Sequence, residues 1–185
     1  RYPENTVTVF NESNSGGKIL NQWNKGLQLA KGDYIWIAES DDYCEETFLE
    51  TLVPLLDCQS VMLAFCRSVF MENGVKIWST EEYLADLTSM RWEQPFTMSA
   101  HVAVQKAFCL KNMIPNVSSC IFRNIGKVPD DVMETGSDIK LCHDWIFYLA
   151  LIRGGCLSYT NRTTNFYRIH SGSTSLTVQA QARYY

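Results

Sequence analysis

Three carboxylates, Glu39, Asp41 and Asp42, stand within four positions of one another at the end of the apolar run Tyr34-Ile35-Trp36-Ile37-Ala38. Acids this close repel one another unless a cation neutralises them. Hard divalent ions such as Mg2+ or Mn2+ take oxygen ligands, often one or two carboxylates, with water and substrate phosphates completing the shell. A strand that delivers acids to its end therefore suits the holding of a metal against a diphosphate. The plainer alternative is a solvated acidic turn, with Glu45 and Glu46 favouring the N-terminus of the next helix. A fourth carboxylate, Asp144, opens an amphipathic segment, where its charge complements the helix dipole.

The elements that would position these residues can be read from periodicity. Val7–Phe10 reads as a strand ending in the polar turn NESNSGG. Ile19, Trp23, Leu27 and Ala30 fall at helical spacing over Lys18–Lys31, and Gly32 closes that helix. The strand 34–38 follows, then a helix over Glu45–Leu56 with Phe48, Leu52 and Leu55 or Leu56 on one face. Val61–Cys66 and Val69–Met71 read as strands, and Asn73-Gly74 as a hairpin turn before Val75–Trp78. Residues 79–117 mix short helical patterns with Pro95 and Pro115 and give no firm boundaries. Ser118–Arg123 reads as a strand, Leu141–Arg153 as a helix ended by Gly154-Gly155, and Leu157–Thr160 and Thr164–Ile169 as two closing strands. The strand–helix–strand–helix opening argues for an α/β sheet with parallel strands. In such sheets ligands sit beyond the carboxyl ends of the strands, which is where the three acids lie.

Bulk properties narrow the function classes. The chain has 185 residues, 46% of them hydrophobic and 19% charged, which suits one folded domain. A net charge of −4 without a run of Lys or Arg gives a nucleic-acid groove little electrostatic support, and no nucleic-acid partner is expected. No stretch approaches a membrane span, and RYPENTVTVF has no apolar core of a signal peptide. Seven scattered cysteines without a C-x-x-C read as reduced thiols in a cytoplasmic protein. The N-x-[ST] triplets at Asn11, Asn116 and Asn161 then read as chance matches.

Taken together, SNSGGKILNQWNKGLQLAKGDYIWIAESDDYCEETFLETL resembles the middle of the inverting family 2 glycosyltransferases of GT-A fold. An Asn-x-Gly turn (Asn14–Gly16), an Asn-x-Gly helix (Asn24–Gly26), the entry Ala30–Ile35 and the acidic strand end Glu39–Asp42 come at the family's spacing. MIPNVSSCIFRN (113–124) is similar to the segment lining the acceptor pocket, CHDWIFYLAL (142–151) to the helix start that carries the base, and NFYRIHSGSTS (165–175) to the Y-R-x-H-x-x-S segment. Glu39 replaces the usual first Asp, and Trp23 stands where many relatives carry Arg.

The resemblance implies a GT-A-like, mixed but mainly parallel sheet with helices on both faces. It implies transfer of a sugar, with inversion, from a nucleoside-diphosphate donor, foremost a UDP-sugar, to a hydroxyl of a glycan or lipid-linked acceptor. Asp144 would be the base. Glu39, Asp41, Asp42, Asn14, Lys18 and Arg168 would meet the donor, and Asn116, Ser118 and Trp145 the acceptor. Asp41, Asp42 and His170 would hold Mn2+ or Mg2+. Such an enzyme would be cytoplasmic, working at the inner face of the membrane where its acceptor is lipid-linked. The first residues resemble the part of the family's domain that comes after its first nucleotide-binding half. The domain is therefore expected to lack its first strands and to self-associate through an exposed sheet edge. A non-catalytic carbohydrate-binding or assembly module on the same scaffold is the alternative. A nucleotidyltransferase is disfavoured, because SNSGGK lacks the spacing of a phosphate-binding loop.

Overall fold

The computed structural model describes residues 3–13, 18–139 and 142–170. Asn14 and Gly16 of the first polar turn lie outside these residues. Helix α1 (Ile19–Leu29) forms where expected, because Leu20, Trp23 and Leu27 recur on one face and are buried there. Each such side chain contributes roughly 1.5–3 kcal/mol by leaving water. Strand β1 (Tyr34–Trp36) follows, then the two-residue strand β2 (Tyr43–Cys44).

Helix α2 (Phe48–Leu52) is shorter than its apolar pattern predicts and continues as a 3-10 turn over Val53–Leu56. Two causes trim it. The Glu45 N–H is bonded to the Thr164 carbonyl, which keeps the start extended, and Pro54 lacks the N–H an α-helix would need. Strand β3 (Val61–Glu72) is one continuous strand where two are expected. Its polar middle, Arg67 and Ser68, pairs with Thr164 and Asn165 instead of breaking the ladder. The Asn73-Gly74 turn leads into β4 (Val75–Ser79), and helix α3 (Thr80–Tyr83) starts with a capping box between Ser79 and Glu82.

The middle region holds β5 (Phe96–Ser99) and α4 (Ala100–Ala103), which runs into a wide π turn at Val104–Phe108. A 3-10 turn (Val117–Ser119) enters β6 (Cys120–Arg123). Helix α5 (Asp130–Asp138) escapes the periodicity reading, although Pro129 before Asp130 and Asp131 is an N-terminal signal. Its Gly136 lets α1 approach, since a Cβ there would collide with Leu20 Cδ1. Helix α6 (His143–Leu151) precedes β7 (Cys156–Ile169). Residues 161–163, read from sequence as a gap, are a bulge, since the register jumps from Cys66 opposite Thr160 to Arg67 opposite Thr164.

The seven described strands form one mixed sheet in the order β1-β6-β3-β7-β2, with β4 against β3 and β5 against β7. Its neighbours are mostly antiparallel, which corrects the expectation of a mainly parallel sheet. Strands β1 and β3 do run the same way, as the strand–helix–strand opening requires. The reason they are not neighbours is that β6 inserts between them, antiparallel to both. Among the described strands only β3 and β7 pair in parallel.

Helices cover both faces. One core gathers α1, α5 and α6 over Leu63, Phe65 and Phe122; the other packs Phe48, Leu52 and Leu56 on Ala64, Cys66 and Ile121. Val7–Phe10 is not a strand. Val7 and Phe10 are 73% and 87% exposed, and no neighbouring strand among the described residues offers a ladder to pair with. Strand β1 ends the sheet on that side, pairing with β6 alone among the described strands.

Candidate functional site

Sheet register brings Glu39, Asp41, Asp42, Asn116, Ser118, Arg168 and His170 to one place. Trp36 pairs with Ile121, so residues just after β1 lie beside those just before β6. The acidic turn 39–42 thereby meets Asn116 and Ser118. The Glu39 N–H donates to Ser118 Oγ at 3.0 Å, and the Trp36 indole donates to the Ser118 carbonyl at 2.9 Å. On the other flank, Tyr43 pairs with Phe166 and stacks on its ring, which places Asp41 and Asp42 alongside Arg168. The Arg168 N–H donates to Asp42 Oδ1 at 3.1 Å, and its guanidinium Nε donates to the Asp41 carbonyl. His170 Nε2 lies 3.1 Å from Asp41 Oδ2.

Asn116 and Ser118, expected to face an acceptor, are buried supports of the acidic turn. Asn116 donates one amide hydrogen to Asp42 Oδ2 and the other to Asn165 Oδ1, both at 2.8 Å, and accepts from Ser68 Oγ at 3.0 Å. Its burial also removes it as a glycosylation acceptor in the folded chain. Trp145 packs against the larger core, its indole N–H buried without an acceptor among the described residues. Lys18 sits before α1, where it lines a polar hollow of about 400 Å3 with Asn21 and Lys25, rather than in contact with the acidic turn.

Asp144 occupies the first turn of α6, after Cys142 in a left-handed conformation (φ 64°) that a non-glycine residue adopts only under constraint. Asn112 donates to Asp144 Oδ2 at 2.9 Å, and its own Oδ1 accepts from the Ile114 N–H at 3.2 Å, so the amide can point only one way. Sequence reasoning missed Asn112, Asn165 and Ser68. The one visible signal was that Asn112 and Asn116 flank Met-Ile-Pro.

The electrostatics tie these carboxylates to one place. Burial raises Glu39 from its ordinary 4.5 to about 7, helped by the charges of Asp42, then Asp41, then Asp144. Asp42 is also raised by burial, against the hydrogen bonds from Ser118, the Arg168 N–H and Asn116. Burial raises Asp144, opposed by the Trp145 N–H and Asn112. Among the described residues no group of three His, Cys, Asp or Glu side chains is arranged to hold a metal. Asp41 and His170 form a pair, while both Asp42 oxygens already accept hydrogen bonds. One carboxylate and one imidazole fit a divalent ion that draws its remaining ligands from water and a diphosphate.

A mixed sheet sandwiched by helices, with clustered acids at a strand end and a further carboxylate brought to them, defines a GT-A-like α/β protein. The sequence model of glycosyl transferase family 2 matches residues 3–112, more than half of the chain, and the chain belongs to that family. The match contains the acidic turn and stops short of Asp144, Arg168 and His170. Over 49 residues the chain is 43% identical to glycosyltransferase GlyG of Streptococcus pneumoniae; that stretch is 26% of this chain and 16% of the relative's length. No described helix is long and apolar enough to cross a membrane.

Proposed function

We propose that the chain moves a sugar from a nucleoside-diphosphate donor, foremost a UDP-sugar, to a hydroxyl of a glycan or lipid-linked acceptor, with inversion. The observation that carries this reading is the convergence of Asp144 on the acidic turn from a hundred residues away, close enough for its charge to act on Glu39. The Asp144 carboxylate takes the proton from the acceptor hydroxyl while that oxygen bonds to the anomeric carbon and the carbon–oxygen bond to the diphosphate breaks on the opposite face. Asn112 orients the carboxylate and favours its ionised form. Asp41, with His170, faces the diphosphate, and Asn116 and Arg168 hold the turn that presents it. Mg2+ or Mn2+ held by Asp41 and His170 would supply positive charge against the leaving diphosphate. Self-association through the outer edge of β1 belongs to the same reading, and a monomer in light scattering would remove it.

Calorimetric titration of UDP with Mn2+ tests the donor site. Binding that disappears with EDTA and in Asp41→Ala supports it. Absence of binding to UDP and to other nucleoside diphosphates replaces it with a carbohydrate-binding or assembly module.

A further inference from the structure

One cluster of side chains belongs neither to the acidic turn nor to a closed core. Phe70 of β3 and Trp78 of β4 stack with centroids 3.5 Å apart and planes 11° from parallel. Tyr83, at the end of α3, lies 5.0 Å from Trp78, and Tyr167 of β7 meets Phe70 edge-on at 5.2 Å. Phe70 is buried, whereas Trp78, Tyr83 and Tyr167 keep part of their surface in solvent.

Register places this cluster beside the site. Ser68 pairs with Asn165, and Phe70 with Tyr167, across β3 and β7. Alternate residues of a strand share a face. Ser68 and Asn165 hold Asn116, which holds Asp42, so the rings continue the support of the acidic turn one step along the same face. At the other end, Lys111 Nζ lies 4.2 Å above the Tyr83 ring and pairs with Asp86 at 3.0 Å. The next residue, Asn112, holds Asp144. Burial and then the charge of Asp144 push the Tyr83 phenol up, consistent with that proximity. The rings thus lie between the support of Asp42 and the support of Asp144.

We infer that the part-exposed rings of Trp78 and Tyr83 form a stacking platform for a pyranose ring of the acceptor saccharide, with the exposed Asp86 carboxylate at its rim to bind hydroxyls. The inference rests on Asp144 being the base, because the accepting hydroxyl must lie on the Asp144 side. A pyranose presents a face of C–H groups that packs on the electron-rich face of an aromatic ring, and its hydroxyls project at the edge toward polar partners. A nucleobase also stacks on such rings. With a nucleobase as the occupant, the loss on removing Trp78 would fall on UDP binding instead of glycoside binding.

Saturation-transfer NMR with the methyl glycosides of glucose, galactose and N-acetylglucosamine tests the platform, alongside calorimetric titration of UDP with Mn2+. At least one glycoside should bind the native protein. Trp78→Leu should weaken it roughly tenfold, as loss of one stacked ring implies, and Trp78→Phe should keep most of the binding. UDP affinity should be equal in all three. Thermal unfolding checks that the variants fold, and Tyr83→Leu serves if Trp78→Leu does not. The platform is overturned if no glycoside binds, if the leucine variants bind like the native protein, or if their loss falls on UDP instead. Ring-dependent glycoside binding without any nucleotide binding would uphold the platform as a saccharide site and overturn the transferase reading.

Discussion

Glu39 should make the protein less stable as the pH rises, and replacing it with Gln should remove that loss. In the folded chain Glu39 holds its proton to about pH 7, against 4.5 for the ordinary carboxyl. Between those values the folded state binds more protons than the unfolded state, so stability falls as pH rises from about 4.5 and levels off above about 7. A gap of that size corresponds to roughly 3 kcal/mol, and the partial exposure of Glu39 brings the expected effect nearer to about 2 kcal/mol. Glu39→Gln has nearly the same shape and no charge. Its stability relative to the native chain should therefore be close to zero at pH 4.5 and rise to about 2 kcal/mol at pH 8. Urea unfolding of both chains in EDTA at the two pH values measures this. Mn2+ with UDP should narrow the difference at pH 8, because cationic charge beside the turn favours the ionised acid. A Gln variant with the same relative stability at both pH values would refute the assignment of a destabilising charge to this position.

Asp144→Asn should lower turnover by at least two orders of magnitude with UDP affinity kept, as loss of a general base implies; steady-state kinetics with calorimetry separates the two. Asn112→Ala should move the acidic limb of the rate profile to higher pH, since the lost hydrogen bond favoured the ionised base. An unmoved limb would make Asn112 merely structural. Asn116→Ala should cost about 2–3 kcal/mol in urea unfolding and weaken UDP binding, because Asp42 and Asn165 lose a buried donor together. Thiol modification should label Cys58, Cys109 and Cys142 in the native protein, with Cys58 fastest because the Ser60 hydroxyl favours its thiolate. Native-state labelling of Cys66 or Cys120 at comparable rates would contradict the described core.

Local chemistry was legible in the sequence wherever it depends on neighbours along the chain. The face of α1, the strand before the acids, the Asn73-Gly74 turn and the Asp144 helix start all come from spacing and side-chain type, which act over a few residues. So did the acidic turn and its resemblance to a family, because those residues are adjacent. Pairing partners were another matter. Whether TVTVF is a strand, whether β3 is one strand or two, and whether parallel strands are neighbours depend on which backbone lies alongside. No local pattern encodes that choice. That Asn116 and Ser118 are buried and bonded to the acidic turn was illegible for the same reason. The tertiary structure put them there by bringing β6 between β1 and β3, and it put Arg168 there by bringing β2 against β7. Those pairings gather Asp42, Asn116, Asn165 and Arg168, which lie up to 126 positions apart in the chain, into one chain of hydrogen bonds.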